Sequence, residues 1–294
     1  MATRCGFVAV VGRPNVGKST LINAIMGQKI SIVTNKPQTT RHRILAVHSA
    51  GDTQIVFVDT PGIHRKAKRA MNRLMNRTAA NALADADLVL FVTEATRWTD
   101  EDSDVLQRLK SVQAPVIALL NKVDRVQPKE RLLAELSTMS ARYEFADIYP
   151  ISALKKDNLD ALLEAIPNYL PESPPLFPED MQTDRSKEFV AAEVIREKLT
   201  EMLHQEVPYG LTVQIERYVS DNDRLTINAV ILVDKDSQKG IVVGKGGQVL
   251  KRVGQSARRD LMAQLDCRVH LELWVKVKDN WSDSEQDLLR LGFE

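Results

Sequence analysis

The chain has 294 residues, enough for one large or two medium domains, and its 44% hydrophobic and 27% charged residues are the balance of a globular protein with a sizeable core. A net charge of +1 argues neither for nor against a polyanionic partner, and two distant cysteines, Cys5 and Cys267, exclude a disulfide framework or a cysteine-rich metal site and predict a reduced, cytoplasmic chain. The first apolar run is only five residues and none approaches 18, so neither a signal peptide nor a membrane span is expected.

The first predicted element is a buried strand, Phe7–Val11, followed by Gly12-Arg13-Pro14-Asn15-Val16-Gly17-Lys18-Ser19 and a helix that opens with Thr20-Leu21-Ile22. G-x-x-x-x-G-K-S between a strand and a helix is the pattern of a phosphate-binding loop. Glycines let the backbone N–H groups point inward, and the positive end of the helix adds to their field. Lys18 supplies a cation for the outer phosphates, and the Ser19 hydroxyl is a small hard ligand suited to Mg²⁺. Gly12, Asn15, Val16, Gly17, Lys18, Ser19 and Thr20 are therefore the candidate contacts to a nucleotide's phosphates.

Residues 34–43 form a polar loop in which Thr39 and Thr40 stand where a nucleotide-sensing segment would supply a second Mg²⁺ ligand, with Thr40 the candidate. The apolar run Ile55–Val58 then delivers Asp59-Thr60-Pro61-Gly62 at the carboxyl end of a strand, where ligands sit in open parallel sheets. Asp59 is expected to hold Mg²⁺ through water, and the Gly62 N–H to approach a terminal phosphate. Residues 64–77 are densely basic and helix-compatible, either a solvated helix face or a segment that moves with nucleotide state.

Buried-strand runs Leu88–Val92 and Val116–Leu120, separated by helical stretches, have the rhythm of a parallel sheet. The second ends in Asn121-Lys122-Val123-Asp124. An Asp carboxylate here accepts two hydrogen bonds from the N1–H and exocyclic amine of guanine; adenine offers neither, and a site built on such bonds rejects the wrong base strongly. Asn121 is expected to tie this loop to the phosphate loop, and the Lys122 stem to cover a face of the base. Ser152-Ala153-Leu154 adds a backbone N–H near Ala153 for the guanine carbonyl. Residues 157–170 read as a closing helix with Leu159, Leu162, Leu163, Ile166 and Leu170 on one face.

Together these five segments, spread over residues 7–170, resemble a translation-factor-class GTPase domain. The resemblance implies GTP and GDP as ligands, Mg²⁺ held by Ser19, Thr40 and Asp59, and catalysis through Lys18, Thr40 and Gly62. Many such enzymes place a glutamine after the switch glycine to orient water; here that position is Ile63. GTPases that resemble this chain, with Asn15 in the phosphate loop and an apolar residue after the glycine, use a potassium ion to complete the site, so K⁺ held by Asn15 is a further implication.

Residues 170–180 hold four of the 12 prolines and read as a semi-rigid linker. Beyond it a helix is expected over 186–207, with Phe189, Ala192, Ile195, Leu199, Met202 and Leu203 inward. Two half-buried antiparallel strands follow over 211–215 and 225–233, then a glycine loop, a helix over 248–265 and a last alternating strand, Val269–Val277. The Gly244-Lys245-Gly246-Gly247 loop before a basic helix resembles that of a KH domain, in which glycines let backbone approach the phosphates of single-stranded nucleic acid. Residues 176–294 are acidic overall, 17 Lys and Arg against 21 Asp and Glu, yet residues 235–259 carry seven basic residues against the single acid Asp236. Gly244, Lys245, Gly246, Gly247, Lys251 and Arg252 are the candidate RNA contacts, with Lys276 and Lys278 extending the surface.

A GTPase domain joined to a KH domain, with Gln38-Thr39-Thr40-Arg41-His42 in the first switch, resembles the Era family over essentially the whole chain. The expected architecture is an α/β P-loop GTPase domain, doubly wound around a mostly parallel sheet (1–172), a proline-rich linker (173–182) and an α+β type II KH domain (183–294). The resemblance implies a ribosome-assembly GTPase that binds the 3′ end of small-subunit ribosomal RNA within a pre-ribosomal particle. A cytoplasmic monomer is expected, with peripheral association at the cytoplasmic face of the inner membrane as an accompanying expectation. The alternative is a peripheral membrane or cell-cycle GTPase whose C-terminal domain binds protein or lipid headgroups; the glycine loop favours RNA.

Overall fold

The computed structural model describes residues 3–62, 69–204, 207–221 and 223–293. These divide into two compact units: one of Met1–Ser31, Thr40–Ala67 and Asn72–Asp184, and one of Arg185–Glu294 together with Ile32–Thr39 and Lys68–Met71.

The first unit is built on strands β1 (Arg4–Val11), β2 (Ile44–Ala50), β3 (Thr53–Asp59), β4 (Leu88–Glu94), β5 (Val116–Asn121) and β6 (Asp147–Pro150), in the sheet order β2-β3-β1-β4-β5-β6. The β2–β3 hairpin is antiparallel and every other pairing parallel. Helices α1 (Lys18–Met26), α2 (Ala70–Ala84), α3 (Asp100–Leu109), α4 (Arg131–Ser140) and α5 (Leu159–Ala165) flank it. Covered on both faces, the central strands bury nearly all of their side chains, which is why they read as unbroken apolar runs. Val8, Val10, Leu90 and Leu119 pack toward Leu21 and Leu162 on one face, while Ala9, Val89 and Phe91 pack toward Val105 and Leu109 on the other.

α5 is shorter than the closing helix expected from sequence. Pro167 has no N–H for an α-helical bond, and Ile166–Tyr169 tightens into a 3₁₀ turn that still buries Ile166 and leads to buried Leu170. Ile63 and most of the basic stretch before α2 lie outside the described residues.

The proline-rich segment is fastened along β2 and β3. Buried Gln54 accepts from the N–H groups of Leu176 (2.8 Å) and Phe177 (2.9 Å) and donates to the Phe177 carbonyl (2.8 Å). Further along, Val47 N–H donates to the Gln182 carbonyl and Leu45 N–H to Asp184, so the segment runs beside the edge strand. It is docked rather than merely stiff.

The second unit has helices α6 (Lys187–Met202), α7 (Asp236–Val243), α8 (Gln248–Leu265) and α9 (Glu285–Arg290) around strands β7 (Leu211–Asp221), β8 (Arg224–Val233) and β9 (Arg268–Val277). β7 and β8 are antiparallel and β8 and β9 parallel, in the order β7-β8-β9. The buried stripe of α6 is Ala191, Val194, Ile195 and Leu199; Phe189 and Ala192, expected inward, are half-buried beside it. This stripe meets Ile227, Ala229 and Ile231 of β8 and Val253, Ala257 and Leu261 of α8. α7 and α9 were not read from the sequence. The segment Ile32–Thr39 lies along α6: Val33 N–H donates to Glu197 (3.0 Å), Arg196 to the Thr39 carbonyl, and Lys36 to the Thr200 and Leu203 carbonyls. No helix among the described residues is long and apolar enough to cross a membrane.

Candidate functional site

The carboxyl ends of β1, β3 and β5 release three loops on one edge of the sheet. After β1 the chain turns at Gly12 (φ +155°), whose missing Cβ would stand 2.3 Å from the Val92 carbonyl oxygen. Asn15 adopts φ +63°, a left-handed conformation that Asn tolerates, and Gly17 adopts φ +106°. A Cβ at Gly17 would meet Asn121 Nδ2 at 2.3 Å, so this glycine is what lets the base loop close on the phosphate loop. α1 begins at Lys18, aiming its free N–H groups into the curl.

Lys18 Nζ donates to the carbonyl oxygens of Gly12 and Arg13, 3.0 Å each, arching over the loop where outer phosphates would lie. Burial pushes the ammonium down to about 8, against the pull of Asp59. Ser19 Oγ lies 2.8 Å from both Thr40 Oγ1 and Asp59 Oδ2, and Thr40 Oγ1 donates to the same Asp59 oxygen at 3.4 Å. The three expected Mg²⁺ ligands therefore converge. Asp59 is fully buried, its Oδ1 has no hydrogen-bond partner among the described residues, and burial holds its carboxyl above the usual range despite Lys18. A lone buried carboxylate with two hydroxyls fits a hard cation that takes its remaining oxygens from phosphate and water. Thr20 is half-buried on α1, and Gly62 abuts the phosphate loop, where an added Cβ would meet Pro14 at 3.0 Å.

The base loop is held by Asn121. Its Nδ2 donates to the Val16 carbonyl (2.7 Å), and its Oδ1 accepts from Ala153 N–H (3.0 Å) and Lys122 N–H (2.8 Å). Lys122 (φ +66°) sends Nζ to the Asn15 carbonyl at 2.9 Å. Asp124 is exposed and accepts from Ser152 Oγ at 2.6 Å, which orients the carboxylate. The Ala153 N–H expected at the guanine carbonyl donates to Asn121; the amide of exposed Leu154 is the next along the turn.

Sequence reading missed a set of charges behind these loops. Arg13, buried, donates from Nε to Asp102 (2.9 Å) and from Nη2 to Glu94 (3.0 Å), and Glu94 also accepts from Lys122 (3.1 Å). Burial alone would raise the Glu94 carboxyl, but Lys122 and Arg13 outweigh it and hold it below the ordinary value.

In the second unit, Gly244 (φ +73°) leaves α7, and Gly246 (φ +58°) and Gly247 (φ +76°) lead into α8. Lys245, Lys251 and Arg252 are exposed around this turn. Lys276 and Lys278 differ from them: Lys276 pairs with Glu216 of β7 at 2.9 Å and Lys278 with Asp287 of α9 at 2.7 Å. Their charge is balanced locally, and Asp260, the one acid of α8, pairs with Lys198 of α6 at 2.8 Å.

A phosphate loop, converging hydroxyls, a buried carboxylate and a guanine-type loop on a six-stranded sheet, followed by a unit with a G-x-x-G turn, define a GTPase that carries a KH module. Residues 7–122 match the family described as 50S ribosome-binding GTPase, and residues 206–282 the KH domain family. The chain is 50% identical to GTPase Era of Pseudomonas fluorescens over 99% of its own length and 97% of that protein, and 49% identical to GTPase Era of Yersinia pestis over 99% and 96%. Two solved structures superpose with a TM-score of 0.95 at 40% identity, each covering 99% of both chains. One is Era in complex with MgGDPNP and nucleotides 1506-1542 of 16S ribosomal RNA; the other is an Aquifex aeolicus Era variant bound to GDP and AlF4⁻. The chain belongs to the Era family of GTPases.

Proposed function

We propose that this chain is a GTP-hydrolysing switch that binds small-subunit ribosomal RNA near its 3′ end through the KH unit and assists small-subunit assembly, working in the cytoplasm as a monomer. The observation that carries the switch is the convergence of Ser19, Thr40 and Asp59 within hydrogen-bond reach of one another. Mg²⁺, when bound, neutralises charge on the phosphates. Ser19 and Thr40 would ligate it through their hydroxyls and Asp59 through water. Lys18 exchanges its two loop carbonyls for the outer phosphate oxygens, the Gly62 N–H approaches the terminal phosphate, and Asp124 accepts from guanine. Asn15, at the exposed crest of the loop, would hold a potassium ion that does the work a glutamine side chain does elsewhere. Faster hydrolysis in potassium than in sodium, lost in Asn15→Ala, is expected; equal rates in both salts would remove the cation.

The RNA half of the reading is supported by the left-handed glycines, the exposed cations of α8 and the relative bound to 16S ribosomal RNA. That complex favours the small subunit over the 50S association in the GTPase family's description. The test is affinity for an RNA spanning those nucleotides across a salt series, for wild type and for Lys245→Asp with Gly246→Asp. Each lost phosphate contact flattens the log–log slope by about 0.7. GTPase rate without RNA serves as the folding control. A variant with wild-type affinity and slope would move the site elsewhere.

A further inference from the structure

The geometry points to Glu94 as a positioning residue that fixes the phosphate loop against the guanine loop and so sets how long nucleotide stays bound. This rests on the reading above, in which residues 12–19 wrap the phosphates and residues 121–124 meet the base.

β1 delivers the phosphate loop and β5 the base loop, and β4 lies between them in the sheet. Glu94 is the last residue of β4, in parallel register with Asn121, and the neighbouring Ala95 N–H donates to the Asn121 carbonyl at 2.9 Å. From there a single carboxylate oxygen, Oε2, accepts from Arg13 Nη2 at 3.0 Å and from Lys122 Nζ at 3.1 Å. Each cation is the second residue of its own motif. One oxygen thus joins two loops that approach opposite ends of a nucleotide.

The join is anchored on both sides. Arg13 Nε donates to Asp102 Oδ2 (2.9 Å), and the same oxygen accepts from Thr99 N–H and Thr99 Oγ1, 2.9 Å each, in the capping box of α3. Lys122 Nζ makes its other bond to the Asn15 carbonyl. Asp102, Arg13, Glu94 and Lys122 therefore alternate in sign, two anions and two cations, and the low dielectric between them strengthens each pair. The backbone they hold needs holding: Asn15 and Lys122 both have positive φ, a conformation that persists only where its surroundings impose it.

Glu94→Gln keeps the shape of the side chain and removes its charge. The expected result is a GDP dissociation rate raised about tenfold, the factor equivalent to ~1.4 kcal/mol. KM for GTP rises with it, while kcat stays within about twofold, because the residue acts on the loops and not on the terminal phosphate. In a Lys122→Ala background the same substitution should change dissociation by less than about threefold, since the shared partner is gone. Wild-type dissociation in Glu94→Gln, a loss in kcat with KM unmoved, or an undiminished effect in the Lys122→Ala background would each overturn the proposal. Should Glu94→Gln fold poorly, Glu94→Asp keeps the charge but is one methylene too short to reach both cations; wild-type dissociation there overturns it equally. Asp124→Asn, measured for GTP against xanthosine triphosphate, separates the two readings. A shift toward xanthosine triphosphate alongside an inert Glu94→Gln defeats only the present proposal, whereas an unchanged guanine preference removes the base-loop reading and this inference together.

Discussion

Ser19 Oγ stands 2.8 Å from Asp59 Oδ2, so the last residue of the phosphate loop is tied to the end of β3 by a hydroxyl. Asp59 is fully buried and its carboxyl is raised, chiefly by that burial. An acid whose folded pKa is raised stabilises the fold below that value and costs stability as pH climbs through it. Asp59→Asn should leave the nucleotide-free protein at least as stable as wild type, with an advantage that grows as pH rises. It should also weaken, without abolishing, the dependence of GTP affinity on Mg²⁺, since the Ser19 and Thr40 hydroxyls remain. Thermal melting across pH, with GTP titrations at high and low Mg²⁺, checks both.

Lys18 gives a pH dependence of binding rather than of stability. Its ammonium, pushed down to about 8 by burial, must be charged to hold phosphate. Nucleotide affinity should be flat below about pH 8 and fall by up to about tenfold per unit above it, as binding has to take up a proton. GDP titrations from about pH 7 to about pH 9, roughly one unit either side of the transition, read this directly. Lys18→Ala should abolish tight binding at every pH.

The glycine turn of the KH unit separates a structural glycine from one that leaves room. A Cβ at Gly244 would meet Val249 Cγ2 at 2.4 Å in a backbone at φ +73°. Gly244→Ala should cost about 2–3 kcal/mol, from the strain of a positive φ with extended ψ, a region essentially confined to glycine, together with displaced packing. A Cβ at Gly246 meets nothing within 4 Å, and Asn accepts its φ of +58°, so Gly246→Asn should cost under about 1 kcal/mol. Denaturant unfolding of both variants decides it; equal costs would refute the distinction.

Gln54→Ala should release the proline-rich segment. The amides of Leu176 and Phe177 and the Phe177 carbonyl lose their partner, and the half-buried Phe177 ring loses its anchor against Leu45 and Val47. Because Leu176 is itself exposed, the stability cost should be modest, about 1–2 kcal/mol. Cleavage by chymotrypsin at Phe177 should nevertheless become much faster, and an unchanged digestion pattern would mean that the segment is held elsewhere.

The parts of the site legible in the sequence are those in which contiguous residues do the work. Gly12–Ser19 and Asn121–Asp124 each carry the backbone shape and the side chains their chemistry needs within eight residues or fewer. Glu94 and Asp102 are different: each is an ordinary acid in an ordinary stretch, and its meaning comes from Arg13, 81 and 89 positions away. Gln54 is hidden in the same way, its partners being 122 and 123 positions on. In the second unit α7 is not legible in the sequence, because Ile241-Val242-Val243 is a contiguous apolar run between glycines, with no helical spacing to mark it. β8, β9 and α8 show clear alternation or amphipathic periodicity and their bounds are readable to within a residue or so, whereas β7 runs on to Asp221, past the expected end at 215, because the register shift between Ile215 and Arg217 breaks its alternation.

Asn121 joins residues that are far apart along the chain: Val16 lies 105 positions before it and Ala153 lies 32 after. During synthesis the phosphate loop leaves the ribosome early, but its brace arrives only with β5, and the brace is itself secured only when Ala153 has emerged. A nascent chain shorter than this has the letters of a nucleotide site without its geometry. Tight nucleotide capture therefore reports that the first unit has been completed, and a ribosome-stalled series of increasing length would acquire it abruptly rather than by degrees.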